Sequence, residues 1–400
     1  MPQFRTVSRR FLRRVLSTLP VLLAALGLAF AVPMHAQAPA APAPGTDVIV
    51  FTNGDQLTGK FVREASGSVI FHSDVAGDIT VTWDKIKSIK TGQQFAVIQQ
   101  GQHVTRKTAD ADIALGNVQV ENDQVKVTQG TGGATKDIPV KDAQYVIDKD
   151  TYTKELRGNP GIFSGWTGGL TAGATLIEAT QNSRSFTGSA ALVRAIPSVT
   201  WLDPRDRTLV DFTAAYGSVT QPGTTGTKTN IIHGDAEHDW FFSPRFYFLV
   251  DASFDHNYSQ GLSLQQSYGG GIGYTVIKDK KQQLDVKFDV HYERQQYFIT
   301  PNVFPIPALT PSKNLIGMDF GDTYMLKLPH GLVFNEGAVI TPAFNQTNAW
   351  SAEATAGLLF PVYKNFGFTV GTLDDFLNDP AAGSKKNSFQ FTAGVTYTLK

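Results

Sequence analysis

Residues 245–255, Arg245 to Asp255, read RFYFLVDASFD. Phe246, Phe248, Val250, Ala252 and Phe254 hold the even positions, while the odd ones include Arg245, Asp251, Ser253 and Asp255. Successive side chains of a strand point to opposite faces, so the run predicts an oily comb on one side and a largely polar set on the other. Its length suits a transmembrane strand, which needs ~9–11 residues. The comb returns twice. Leu284, Val286, Phe288 and Val290 oppose Asp285, Lys287, Asp289, His291 and Glu293, and near the end Phe389, Phe391, Val395 and Tyr397 oppose Gln390, Thr392 and Thr396.

Working outward, twelve candidate strands follow Gly165, at about 165–178, 184–195, 207–218, 229–241, 245–257, 264–277, 281–295, 314–327, 332–344, 348–361, 366–376 and 387–400. Ten is the alternative count. Outer-membrane barrels use even strand numbers and alternate short inner turns with longer outer loops. Connections 218–228, 257–262, 296–313 and 378–386 are the longer kind, and those at 243–244, 279–281 and 329–331 are tight. Two departures stand out: 198–206 is long for an inner turn, and 345–347 is short for an outer loop. Aromatic residues should belt the interfaces, with Trp201, Trp240, Phe241, Phe242, Tyr363 and Phe366 at inner ends and Tyr258, Tyr297 and Phe298 at outer ends.

The chain before Gly165 is organised differently. Arg5, Arg9, Arg10, Arg13 and Arg14 precede an apolar run from Val15 to Val32 and a small-residue cleavage pattern, so 1–38 reads as a secretory signal peptide. Residues 39–46 form a Pro/Ala linker. Residues 47–148 read as a small periplasmic β module, with hairpins at Asn53-Gly54, Ser66-Gly67 and Asn122-Asp123. Two units of about fifty residues are suggested because Asp137–Ile147 echoes Asp78–Ile89. Residues 149–164 connect the module to a barrel at 165–400.

Composition narrows the function. The chain has 35 basic and 35 acidic residues. Removing a signal with five arginines and no acid leaves a net charge near −5, which is no nucleic-acid footprint. Cysteine is absent, which excludes disulfides and thiol chemistry. No apolar run after the signal is long enough for a membrane helix, so a membrane-spanning mature chain must form a closed barrel.

With the combs outward, His233, Asp235, Glu237, Asp239, Asp251, Asp255, Asp285, Lys287, Asp289, His291 and Glu293 line the lumen, joined by Asp319, Lys327 and Glu353. His233-x-Asp235-x-Glu237 shares one face, but metal ligands would have to converge across strands. The pattern therefore reads as a hydrated, acid-rich interior that favours cations if open. No metal or cofactor is expected, and no catalytic residue. Ser253 and His256 differ in parity, Ser259 is a loop residue without an evident partner, His238 faces outward, and no GxSxG, phosphate loop or zinc pair occurs.

Gly165-Trp166-Thr167-Gly168-Gly169-Leu170-Thr171-Ala172 and the strands after it resemble the family of salt-induced outer-membrane proteins. Val48–Lys60 and Gly77–Ile86 are similar to the small β module that often precedes that barrel. The resemblance implies an outer-membrane barrel with no known catalytic residues and no assigned substrate. The chain departs from many barrels by ending Tyr397-Thr398-Leu399-Lys400 rather than on an aromatic residue.

The expectation is thus an all-β protein of a Gram-negative-type outer membrane: a structural barrel or passive channel for small solutes or ions. An envelope-anchoring or ligand-binding barrel with a plugged lumen is the alternative, and an outer-membrane lipase a more distant one. Outer-membrane lipid, the barrel-insertion machinery and, through residues 47–148, cell-wall material are the expected partners.

Overall fold

The computed structural model describes residues 46–65, 67–102, 104, 107–109, 112–129, 133–158, 160–178, 182–220, 227–298, 312–381 and 384–399. The expected signal peptide, all of the linker except Thr46, and Ser66 lie outside them, as do the middle of the 296–313 loop and parts of the 218–228 and 378–386 loops.

The first nine strands are β1 (Asp47–Phe51), β2 (Gln56–Ala65), β3 (Ser68–Ser73), β4 (Gly77–Thr82), β5 (Ile86–Gln99), β6 (Ala114–Glu121), β7 (Gln124–Thr128), β8 (Thr135–Pro139) and β9 (Ala143–Asp148). They form one antiparallel sheet in the order β4-β3-β2-β1-β5-β6-β7-β8, with β9 pairing both β2 and β5. The echo between Asp78–Ile89 and Asp137–Ile147 has a structural counterpart. In each, a strand leads through a 3-10 turn (Trp83–Lys85, Val140–Asp142) into another strand. The long β5, which the sequence reading did not single out, is shared. Its first half pairs β1, its second half pairs β9, and β6 runs along both halves across a bulge.

Alternation explains the core. Ile49, Phe61, Phe71, Ile89, Phe95, Val97, Val120 and Val125 are buried together. Burying one side chain of this size contributes about 1.5–3 kcal/mol. Asn122 and Asp123 both take left-handed conformations, as a two-residue hairpin turn between right-twisted strands requires. Helical turns at Lys149–Thr151 and Tyr152–Arg157 follow. Tyr152 enters a second core with Ile98, Ile113 and Ile147, so half of the expected connector packs as part of the module.

The remaining twelve strands close a barrel by neighbour-to-neighbour antiparallel pairing. They are β10 (Trp166–Glu178), β11 (Asn182–Ile196), β12 (Asp206–Thr220), β13 (Thr227–Phe241), β14 (Phe246–Asn257) and β15 (Leu262–Lys278). Then come β16 (Gln282–Tyr297), β17 (Ser312–Lys327), β18 (Val333–Thr341), β19 (Ser351–Tyr363), β20 (Phe366–Leu377) and β21 (Asn387–Leu399). The count is twelve, not ten. The seam between β10 and β21 has only five registered pairs, from Gly168↔Leu399 to Ala172↔Val395, against fifteen between β11 and β12.

Both departures in the connections have physical causes. The 198–206 segment is long because it docks: Leu202 and Val199 pack among Ile98, Ile113 and Tyr152 of the module, and Arg63 stacks 4.7 Å over Trp201. Tyr145 donates to Asp203 at 2.8 Å, and Lys278 Nζ lies 3.1 Å from the other oxygen. Ser198 donates its amide and hydroxyl to Glu155, each at 2.8 Å. Burial would raise that carboxyl, but these hydrogen bonds hold it below the usual range. The 345–347 connection is in fact longer, because β18 stops at Thr341: Pro342 has no N–H to continue the ladder.

Candidate functional site

The barrel is built inside out. Phe248, Val250, Phe254, Phe288, Val290, Phe389, Phe391, Val395 and Tyr397 lie on its outer face, from 39 % exposed (Tyr397) to 64 % (Phe391). Phe246, Leu284 and Val286 share that face and are half-covered by neighbours. The buried set is ionic: Asp239, Asp285, Asp289, His291 and Glu293 are each at most 6 % exposed. Register produces this, because direct partners across a ladder share a face. His233 pairs Asp255, Asp235 pairs Ser253 and Glu237 pairs Asp251, while Ala236 pairs Ala252 and Trp240 pairs Phe248.

The eleven lumen positions singled out in the sequence fall into four groups stacked along β13, β14 and β16. At the module end Arg207, on β12, lies between two carboxylates, donating to Asp239 at 2.6 Å and to Asp285 at 2.8 Å. Its guanidinium stacks 4.9 Å from the Tyr247 ring and 5.3 Å from Phe241. Tyr247 and Leu249 are buried beside it, so this end of the lumen is filled on the β12–β16 side. Above it Lys287 donates to Glu237 at 2.7 Å. A third group gathers Asp251, Asp289, His291 and Glu293 with Asp319 of β17. In the fourth, towards the distal end, His233 is held by Asp255 at 2.5 Å through Nδ1 and by Asp235 at 3.1 Å through Nε2. Glu353, Asp375 and Gln390, from β19, β20 and β21, line the same small cavity.

The facing wall is chemically plain. Thr171 and Gly173 on β10, Thr187 and Ser189 on β11, and Thr392 and Gly394 on β21 share the inward parity, and Thr171 and Thr396 hydroxyls meet across the seam at 2.8 Å. An acidic wall thus looks across at one of small and hydroxylated side chains.

Sequence reasoning missed Arg207, Asp211 and Asp375, whereas Gln390 lies on the polar face where the comb of the last strand put it. Arg207 and Asp211 carry inward parity on β12, where the outward comb (Thr208, Val210, Phe212, Ala214) is too mild to announce itself. Three expected belt aromatics belong elsewhere. Trp201 docks on the module, while Phe241 and Tyr297 are buried on the lumen side. Their odd positions place them in line with Asp239 and Gln295, and parity overrides residue type. Trp240, Phe242, Tyr363, Phe366 and Tyr258 are exposed.

Fold and site together define a closed, twelve-stranded antiparallel barrel with an apolar outside and an ionic lumen. Residues 170–399 match the family described as a protein of unknown function, DUF481, and the chain belongs to that family. That description assigns neither an activity nor a response to salt. No curated protein matches the chain in sequence. Among solved structures it is similar to the NanC porin (8 % identity, 58 % of this chain and 100 % of that one, TM-score 0.33). It is also similar to the translocator domain of the autotransporter NalP from Neisseria meningitidis (12 %, 58 % and 87 %, 0.33). An outer membrane channel from Pseudomonas putida F1 is a third (12 %, 60 % and 99 %, 0.32).

Proposed function

We propose that the protein spans the outer membrane and provides a narrow, cation-preferring passage for small solutes, with residues 47–148 on the periplasmic side. The inversion of the barrel carries this reading. Large apolar side chains face outward over strands of membrane-crossing length, while carboxylates face in, which is stable when lipid wets one surface and water the other. The acidic wall gives the lumen a negative field that attracts cations and repels anions. Twelve strands lie between the side-chain-filled interior of eight and the open channel of sixteen, so the bore is narrow. No chemistry is assigned to the barrel. Reconstituted in a planar bilayer under a KCl gradient, the chain should pass a small current with a reversal potential on the cation side. Glu353→Gln together with Asp375→Asn should move that potential towards zero. A current preferring anions would sink the reading.

A plugged lumen is the second reading, and the Arg207 group favours it. If the wild type passes no ions while Arg207→Ala conducts, the module end is closed and the barrel is an envelope-anchoring or ligand-binding element. Residues 47–148 would then be the part to meet cell-wall material, which a pulldown on peptidoglycan reads.

A further inference from the structure

We propose that Asp289, His291 and Asp319, with Asp251 as a fourth donor, form a binding site in the lumen for a divalent transition metal of the Zn²⁺ or Mn²⁺ kind. This deepens the passage reading, on which it rests for the access of ions from water.

Asp289 and Asp319 are direct register partners on β16 and β17. One ligand atom from each of Asp289, His291 and Asp319 lies within 4.8 Å of the others. His291 Nδ1 stands 3.3 Å from Asp289 Oδ1 and 3.5 Å from Asp319 Oδ2. Ligands held tetrahedrally at the usual zinc bond lengths stand roughly 3.4 Å apart, so these spacings are those of a coordination edge.

Independent features point to an occupant. Asp251 Oδ1 is buried without a hydrogen-bond partner. The room around these groups is kept by two glycines: a Cβ at Gly269 would come 2.6 Å from Asp251 Oδ1 and 3.0 Å from Asp289 Oδ1. One at Gly317 would come 2.9 Å from His291 Nε2. The His291 side chain is 1 % exposed, and its Nε2 has no hydrogen bond among the described residues, the Glu293 carboxylate lying 3.9 Å away. A metal on Nδ1 leaves the proton on Nε2 facing Glu293, the carboxylate–histidine–metal order that orients a ligating imidazole.

Charge points the same way. Three carboxylates surround one imidazole, and the neighbouring Lys287 is already engaged by Glu237. One nitrogen and up to three carboxylate oxygens suit zinc or manganese better than calcium, which takes six to eight oxygens.

The test uses the full chain, free of affinity-tag histidines, purified in detergent and stripped with a chelator. Equilibrium dialysis against Zn²⁺ should retain one ion per chain. Titration with Co²⁺ should give visible absorption bands that Zn²⁺ abolishes and equal Ca²⁺ does not. Asp289→Asn and His291→Gln should each weaken retention roughly tenfold or more. His233→Gln, in the distal group, should leave it intact. No stoichiometric retention, or retention equal in wild type and both variants, overturns the site and leaves His291 as a hydrogen-bond partner of Asp289 alone. Should the variants fail to fold, as judged by heat-modifiable migration, the wild type decides: Zn²⁺ must raise its unfolding temperature and a chelator must reverse the rise, and no shift overturns the site. A chain that conducts cations but binds no metal disproves the site alone. One that binds metal but passes no current disproves the passage alone.

Discussion

Glu64 shows how far one residue can be set against its surroundings. It sits on β2 with no exposed surface, accepting the Gly67 amide at 2.9 Å while its other oxygen has no partner. Burial pushes its carboxyl up to about 7, the Gly67 amide only partly offsetting this. Between its ordinary range near 4.5 and about 7, the folded chain holds a proton that the unfolded chain releases. Stability is therefore greatest below that window, falls as pH rises through it, and stays low above. The full span corresponds to about 3 kcal/mol. Glu64→Gln should flatten the profile and make the module more stable than wild type at pH 8. Urea unfolding of residues 47–148 within the detergent-solubilised chain, read by pulse proteolysis at pH 4 and pH 8, measures it. Nothing in the local sequence marked Glu64 as buried, because what covers it is β9, more than seventy residues downstream.

At the level of elements, the strands were legible and their ionic partners were not. The comb of β14, β16 and β21 announces both strand and facing, since a period of two is a local property. The partnership of Arg207 with Asp239 and Asp285 depends on three strands meeting, and the sheltering of Trp201 depends on another domain's surface. Two experiments belong at this scale. Phe248→Lys sets a charge on the outer face of β14 and should cost about 2–4 kcal/mol if that position is near the bilayer midplane, whereas Ser253→Lys on the lumen face should be near neutral. Folded yield in lipid vesicles, scored by heat-modifiable migration, distinguishes them, and equal yields would remove lipid from the account. Leu202 is the anchor of the docking segment, 5 % exposed. Leu202→Ala should weaken the module–barrel contact by about 2–5 kcal/mol. Faster proteolysis within 198–206, with the barrel intact, is the expected sign.

Over the whole molecule, one chain solves the burial problem twice with opposite signs. The module hides Ile49, Phe61, Phe71 and Phe95, while the barrel shows Phe248, Phe288 and Phe391 and hides Asp239 and Asp285. Two such parts should respond differently to solvent. In detergent, urea should unfold residues 47–148 first and leave the barrel's β signal until much higher concentration. Two separated transitions by circular dichroism are expected, and a single one would mean that docking makes them one cooperative unit. The architecture was legible because it follows from alternation and turn chemistry. The shared strand β5 was less so, since its sequence, IKSIKTGQQFAVIQ, changes register at a bulge between Lys90 and Gln94 and breaks the period.

The short join between β10 and β21 has a consequence for how this wall comes into being. Every other ladder links segments adjacent in the chain and can zip from its own turn, but this one must wait until the last strand has emerged and found the first. Among the described residues it has five registered pairs, fewer than any other joint of the barrel, and they end at Ala172↔Val395. It is therefore the place where the cylinder finishes closing and where, under strain, it would part first.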